Sequence, residues 1–323
     1  MGKFELGTIK VSSAASNALE ETCLDLETLL TRHQDGDWGN VDNVRRLRNE
    51  WALAHNGLIR SMYEIPNGAL LLVNTAAARS CTWAMLETEY QGKEVGIQEG
   101  YALWATSYDQ EQNPLILVEE PHVDLILAKL TAAVALDVGT GTGRYARKLA
   151  RRGIKVFAVD PCSEMLDVAQ RNAQKKMLKI DFQSGSLRAL PFRSNHFELV
   201  VCGLVLCHIP NLMQTIGELS RVTREGGYLL ITDFHPNAVA AGWRTDFAQA
   251  EAWYQLPNIK HTRDDYLEAV EAAGFTLLDV IDLYVRNIPD EKFPFYEAWV
   301  REQGDKLFGL IVFAQKVATV DRS

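Results

Sequence analysis

From about residue 121 onward, short runs of consecutive apolar residues alternate with stretches whose apolar positions recur every three or four residues. The runs at 134–138, 155–159, 179–182, 198–202 and 227–232 read as strands, with helices near 143–152, 162–174 and 211–223. This repeated strand–helix order predicts a doubly wound α/β domain, a parallel sheet with helices on both faces. Two later runs, 276–285 and 307–314, follow a helix at 263–273 and are expected to close the sheet as an antiparallel pair, giving seven strands.

Residues 1–95 have a different texture. An acidic helical stretch at 18–32 leads into a Gly/Asp-rich turn at 35–40 and a helix near 41–56. Two strand-like runs then meet at Asn67-Gly68, a strong hairpin signal. Glycines at 92, 96 and 100 punctuate the pattern and set the expected boundary. The expected organisation is a small α+β accessory domain over 1–95 and the α/β domain over 96–323.

Composition narrows the class of function. Of 323 residues, 47% are apolar and 23% charged, which is the make-up of a folded globular chain. Lys and Arg number 33 against 42 Asp and Glu, a net charge of −9 that offers no general attraction to nucleic acid or to an anionic membrane. The longest apolar stretch, 199–207, is about half the length a membrane span needs. Five cysteines without C-x-x-C spacing signal neither a disulfide framework nor a zinc site, so a reducing, cytoplasmic setting is expected. The start, Met1-Gly2-Lys3, shows no apolar leader, and Leu6 stands where a myristoylation signal needs Ser or Thr.

The most informative segment runs from Val134 through Asp137-Val138-Gly139-Thr140-Gly141-Thr142-Gly143, a strand that ends in a glycine turn opening a helix. Such a turn lets a ligand approach the main chain. About twenty residues on, Val156–Asp160 is a second strand ending in an acid suited to ribose hydroxyls. Gly141-x-Gly143-x-x-Ala146 also fits the dinucleotide fingerprint, which leaves a nicotinamide-dependent oxidoreductase as an alternative. An anionic pyrophosphate on this turn would be repelled by Asp137, however, whereas the sulfonium and ammonium of S-adenosylmethionine would be attracted.

Asp137-x-Gly139-x-Gly141-x-Gly143 with Asp160 resembles the first two motifs of class I S-adenosylmethionine-dependent methyltransferases, and the resemblance extends from about 100 to 316. Gly185-Ser186-Leu187 with Leu190-Pro191-Phe192 is similar to the adenine-side loop of that family, Phe197–Val200 to its fourth strand, and Gly226-Gly227 to the entry of its fifth. Tyr101-x-x-Trp104, Tyr108-Asp109 and Asn113-Pro114 resemble the N-terminal lid of small-molecule members. The resemblance implies a cofactor site of Asp137, Gly139, Gly141, Gly143, Asp160, Pro161, Met165, Ser186, Leu187 and Cys202. Three positions depart from the pattern. Ser186 stands where an acid commonly holds the adenine amino group, Glu198 replaces an Asp, and Glu225 replaces a Pro.

Ligands in such folds lie at the carboxyl ends of the strands, so the segment 202–210 after the fourth strand should face the transferred methyl. It lacks the Asn/Asp-Pro-Pro-aromatic run of nucleic-acid amino methyltransferases. His208 reads either as a general base or as a cap on the next helix; His235, just past the fifth strand, reads as a second base or a loop histidine. Aromatics gather at Tyr101, Trp104 and Tyr108, at Trp243, Phe247, Trp253 and Tyr254, and at Phe293, Phe295, Tyr296 and Trp299. They suggest a partly apolar acceptor pocket, with Tyr108 lining the methyl. No acid cluster follows the fourth strand, so no metal is expected.

The leading expectation is a methyltransferase acting on a small molecule; a non-catalytic sensor of S-adenosylmethionine and a macromolecule-modifying enzyme are the further rivals. Within 1–95, Arg32-His33-x-x-Gly36-Asp37-Trp38-Gly39, Ser61-x-Tyr63, Arg79-Ser80-x-Thr82 and Leu86-x-x-Glu89-Tyr90 resemble a small bacterial protein family of unknown function. His33, Asp37 and Trp38 read either as a site or as a glycine-flanked turn around a buried Trp. The module is expected to serve stability, partner binding or self-association rather than methyl chemistry.

Overall fold

A computed structural model describes residues 2–110, 113–289 and 297–318, the last without the side chains of 298 and 299. Of the aromatic residues singled out above, Phe293, Phe295 and Tyr296 and the side chain of Trp299 therefore lie outside the described residues. The chain divides into two compact units, one of Met1–Val95, Ser107–Glu111 and Thr245–Leu256, the other of the remainder.

In the first unit, β1 (Thr8–Val11) precedes helices α1 (Ser13–Glu21), α2 (Leu26–Asp35) and α3 (Asn43–His55), which are followed by β2 (Ile59–Glu64), β3 (Leu70–Thr75), β4 (Cys81–Leu86) and β5 (Gly92–Glu94). Each helix starts at a side-chain cap. Ser12, Asp25 and Asp42 accept from the backbone N–H groups of Ala15, Glu27 and Arg45. The cap at Asp25, after Cys23 in the left-handed region, divides the single helix expected over 18–32 into two. Asn67-Gly68 turns β2 into β3 as expected, with Gly68 at φ +82° and Ile65 N–H donating to Ala69 O at 2.9 Å. The four-stranded sheet has the order β1-β4-β3-β2. Ala15, Leu19 and Leu29 of α1 and α2 pack on Tyr63, Leu71 and Val73 of one sheet face.

The 33–39 segment is structural. Trp38 is buried and its indole donates to Glu50, while Asp37 accepts from Arg32 and from Gly39 N–H. His33 is fully buried in a one-way chain of hydrogen bonds. Thr82 donates to Leu6 O (2.6 Å), so Thr75 donates to Thr82 (2.7 Å), His33 Nε2–H donates to Thr75 (2.9 Å), and Ser61 donates to His33 Nδ1 (2.6 Å). Burial, with Arg79 adding to it, pushes the His33 pKa down to about 3.

The second unit opens with α4 (Ile97–Trp104) and α5 (Pro114–Ala128), then runs β6 (Val134–Val138), α6 (Arg144–Ala150), β7 (Lys155–Asp160), α7 (Ser163–Lys175), β8 (Ile180–Ser184), β9 (Phe197–Gly203), α8 (Leu212–Val222), β10 (Thr223–Phe234) and α9 (Pro236–Ala240). After α9 the hairpin β11 (Thr245–Ala248) and β12 (Trp253–Leu256) leaves this unit, and α10 (Arg263–Ala272), β13 (Phe275–Tyr284), α11 (Glu297–Gln303) and β14 (Leu307–Lys316) complete it. The seven strands stand in the order β13-β14-β10-β9-β6-β7-β8. β14 is antiparallel to both β10 and β13 and the other pairs are parallel, which is the doubly wound sheet expected from the pattern. Its core, including Leu136, Val159, Phe197, Val200, Leu229 and Ile231, reads as continuous apolar strands because helices cover both faces.

The hairpin β11–β12 belongs to the first unit, where β12 pairs with β5. Asn74 Nδ2 donates to Ala250 O (2.9 Å) and Tyr90 OH to Gln249 O (3.1 Å). A Cβ on Gly92 would fall 2.3 Å from the Trp253 ring, so only glycine lets β5 lie against β12. Phe247, Trp253 and Tyr254, read above as lid aromatics, thus form part of this three-stranded sheet, and Phe247 and Tyr254 stack within it. The division differs from a single cut near residue 95 at two places, 107–111 and 245–256. The sequence offers no local signal for this, because a hairpin's partner strands are set by tertiary pairing.

Two outcomes are expected. A chain beginning at Glu94 would lack Asn74, Tyr90 and most of β5, and should bind an apolar dye and self-associate in sedimentation; a monomeric, dye-silent truncated chain would show that the hairpin is stable without them. The unfolded His33 binds a proton below its ordinary pKa of 6.5 and the folded one only near 3, so stability is full above 6.5 and falls as pH drops toward 3. This contributes a slope of up to about 1.4 kcal/mol per pH unit. Hydrogen exchange of β2–β4 amides between pH 7 and 4 should show that slope in the native chain and a flatter one in His33→Gln.

Candidate functional site

Along the sheet, the chain steps from β6 outward to β7 and β8, then returns to the other side of β6 as β9. The gap between the ends of β6 and β9 is therefore the topological switch point, where ligands bind in open α/β sheets. Two segments flank it: the glycine turn after β6 and the 3₁₀ turn Leu206–His208 after β9.

The glycine turn is held from below by Asp137, whose Oδ2 accepts from Thr140 Oγ1 (2.6 Å) and from Ala146 N–H (2.8 Å). The residue is 1% exposed, and burial pushes its pKa up to about 6 against these hydrogen bonds. Gly139 lies at φ +68°, and a Cβ there would fall 2.4 Å from Val205. Gly141, at φ +53°, is different, with nothing within 4 Å of its Cβ position. One glycine is needed for packing and the other leaves backbone open to a ligand.

Asp160 closes the other side. Its Oδ2 accepts from Gly141 N–H (2.7 Å) and its Oδ1 from Cys162 N–H (2.9 Å), and burial raises its pKa. Each carboxylate oxygen has a second lone-pair direction, so the same group can also receive two ribose hydroxyls. An adenosine-bearing cofactor fits this donor and acceptor set: an open glycine backbone beside an anchored carboxylate. Pro161 and Met165 follow Asp160, the first exposed and the second buried on α7. In the loop after β8, Leu187 is buried, whereas Ser186 is exposed and accepts from Arg188 N–H. Cys202 is fully buried within β9, with its thiol pushed well above the usual range by burial.

After β9 a buried carboxylate again sets the loop. Asp233, at the end of β10, accepts from Cys207 N–H (2.7 Å) and Tyr266 OH (3.1 Å) through Oδ2, and from Phe234 N–H through Oδ1. Burial pushes its pKa up to about 6. His208 is thereby fixed, 4% exposed, with Nδ1 2.8 Å from Pro257 O and Nε2 2.9 Å from Tyr101 OH. It does not cap α8, because Asn211 accepts from Gln214 N–H and takes that role. His235 does act as a cap. Its Nδ1 accepts from Asn237 N–H at the start of α9, and Nε2 faces Asp282 at 3.2 Å, a carboxylate that Arg263 also donates to. Both its ring nitrogens are engaged in the fold.

Tyr108 lies in the 107–111 segment of the first unit and is not among the residues that the second unit brings together. Two residues that sequence reasoning passed over are Glu119 and Tyr145. Glu119, buried on the apolar helix α5, accepts from Tyr145 OH (2.9 Å) and is paired with Arg144; its other oxygen has no hydrogen-bond partner. Tyr145 in turn packs on the β9 end, where a Cβ on Gly203 would fall 2.3 Å from its ring. An acid within an apolar helical run was the available signal. Among the described residues, no group of three or more His, Cys, Asp or Glu is placed to hold a metal.

Residues 136–231 match the methyltransferase domain family. The chain is 32% identical over 158 residues to the demethylmenaquinone methyltransferase of Deinococcus radiodurans, covering 46% of this chain and 64% of that one. It is 30% identical over 217 residues to the biotin biosynthesis bifunctional protein BioHC of Cellvibrio japonicus, covering 64% of this chain and 40% of the relative. It thus spans less than two thirds of either relative. Among solved structures, an S-adenosylmethionine-dependent methyltransferase from Mesorhizobium loti matches 62% of this chain and 98% of its own (TM-score 0.50, 18% identity). The [4+2]-cyclase SpnF matches 69% and 95% (TM-score 0.52, 19% identity). These structures show the fold, and a fold alone does not assign an activity. The domain match, by contrast, begins in β6 beside the glycine turn and ends in β10 two residues before Asp233, so it covers the entire cofactor half of the sheet and sets the nicotinamide alternative aside. Residues 136–231 are accordingly a methyltransferase domain, whose family takes S-adenosylmethionine as its cofactor.

Proposed function

We propose that this chain methylates a small molecule by direct, metal-independent displacement, in a cytoplasmic setting. The observation that carries the reading is the pairing of the open Gly141 backbone with Asp160 at the switch point. When bound, S-adenosylmethionine supplies an electrophilic methyl, whose bond to sulfur breaks as the acceptor's electron pair bonds to carbon. Asp160 and the glycine turn would hold the adenosine, with Asp137 keeping the turn in shape from beneath. The names of the relatives, with demethylmenaquinone and biotin biosynthesis among them, favour a small acceptor. Five unpaired cysteines support a reducing compartment. The first unit is read as an accessory body for stability, partner binding or self-association.

Removing the Asp160 carboxylate should cost charge-assisted hydrogen bonds of about 1.5–3 kcal/mol. Calorimetry of Asp160→Ala is expected to show S-adenosylmethionine affinity lowered roughly tenfold to hundredfold. Native affinity in the folded variant would remove Asp160 from the site. Incubation with methyl-labelled S-adenosylmethionine and a host extract should place label in a small-molecule fraction, with or without a chelator. Label confined to protein or nucleic acid would overturn the small-molecule reading, and loss of transfer with chelator would overturn the metal-independent one.

A further inference from the structure

The seven-stranded sheet ends in β13 on one side and β8 on the other, and an edge strand offers unpaired N–H and C=O groups to any chain that meets it. Charge is the usual guard against such pairing. The charged residues of β13 are both acids, Asp279 and Asp282, so two copies of that edge would meet with like charges. β8 is different. Among the described residues its one neighbouring strand is β7, and its charges are of both signs: Lys179 just before the strand and Asp181 within it, both exposed. Asp181 accepts from Gln183 Nε2 of the same strand at 3.3 Å.

The two faces of β8 differ in character. Ile180 stands opposite Val156 of β7 and Asp181 opposite Phe157, so Ile180 and Phe182 share a sheet face with Val156, and Lys179 shares the other with Asp181. Along the edge runs a groove of about 770 Å³, floored by Val156, Ala173, Leu178, Ile180 and Phe182. Gln170 and Gln174, one turn apart on α7, line its side. Read outward from Ile180, the segment Leu178-Lys179-Ile180-Asp181-Phe182 is complementary to its own reverse: apolar matches apolar, and Lys matches Asp.

We propose that β8 pairs antiparallel with β8 of a second copy of this chain, about a two-fold axis through Ile180, which joins two seven-stranded sheets into one. In this register Ile180 meets Ile180 of the second copy, Leu178 meets Phe182 on the groove face, and Lys179 meets Asp181 twice on the other face. An axis normal to the sheet keeps both α7 helices on one face, so the two grooves merge and their apolar floors leave water together. Moving the axis by one residue sets Lys179 against Lys179 or Asp181 against Asp181, so charge fixes the register. β8 stands two strands from β6 and three from β9, and the switch point stays open in the pair.

The test is sedimentation of the full chain over a range of concentrations, with circular dichroism as the check that each variant is folded. The native chain should form a dimer that dissociates on dilution, and more readily at high salt. Lys179→Glu and Asp181→Lys should each raise the dissociation constant roughly tenfold or more, because each sets like charges face to face twice. Mixed in equal amounts, the two variants should pair with each other, since every contact in the mixed dimer again joins opposite charges. A native chain that stays monomeric overturns the proposal and leaves the groove to a different occupant. A dimer that both reversals leave intact places the contact elsewhere, as on the first unit, and overturns it too. Failure of the two variants to combine overturns the register. Should one reversal prevent folding, Lys179→Glu and Asp181→Lys together in one chain, which exchange the charges, must dimerise as the native chain does.

Discussion

Two buried carboxylates at the ends of the two parallel strands that flank β9 carry the rest of the second unit. Asp137 ends β6 and organises the glycine turn; Asp233 ends β10 and organises the turn after β9. Neither is exposed, and each offsets its desolvation by accepting hydrogen bonds from the loop it shapes. Burial pushes both pKa values up to about 6, the mark of charge held against the surrounding apolar core. The loops on either side of the switch point are thus anchored to the sheet, and the groups they present are positioned before any ligand arrives.

What the turns present differs on the two sides. After β6 it is backbone: Gly141 lies open, and Asp160 is fixed by N–H groups from both flanking loops. After β9 it is a buried imidazole between the carbonyl of Pro257 and the phenol of Tyr101. The first surface suits recognition of a polar cofactor. Other titratable groups nearby have structural duties: Cys202 and Cys207 are buried with thiols held well above their usual range, and Tyr266 donates to Asp233.

The first unit shows how a chain assembles a body from distant segments. Its four-stranded sheet and three helices come from the first 86 residues, yet its second sheet needs residues 245–256, which leave the second unit at Arg244 and re-enter at Pro257. The re-entry residue is also the one whose carbonyl takes the His208 hydrogen. The covalent path between the hairpin and the imidazole's support is therefore a single peptide bond, from Leu256 to Pro257.

Much of this was legible in the sequence because it depends on local rules. Strand periodicity located all seven strands of the doubly wound sheet, and the glycine turn with its flanking acids pointed to the cofactor, since φ > 0 and close approach both demand glycine. Asn67-Gly68 marked its hairpin for the same reason. What the sequence could not determine was which group each side chain would meet. β1, with four residues exposed throughout, has no amphipathic alternation to reveal it. The aromatic residues at 247–254 look the same whether they cover an acceptor or pair with β5. His208 and His235 are both histidines a few residues past a strand; a carbonyl stands against the first ring, whereas a helix N–H against the second makes it a cap. The partners of His208 lie 49 and 107 residues away along the chain, so only the tertiary structure, by bringing Pro257 and Tyr101 to the same ring, decided what that ring would meet.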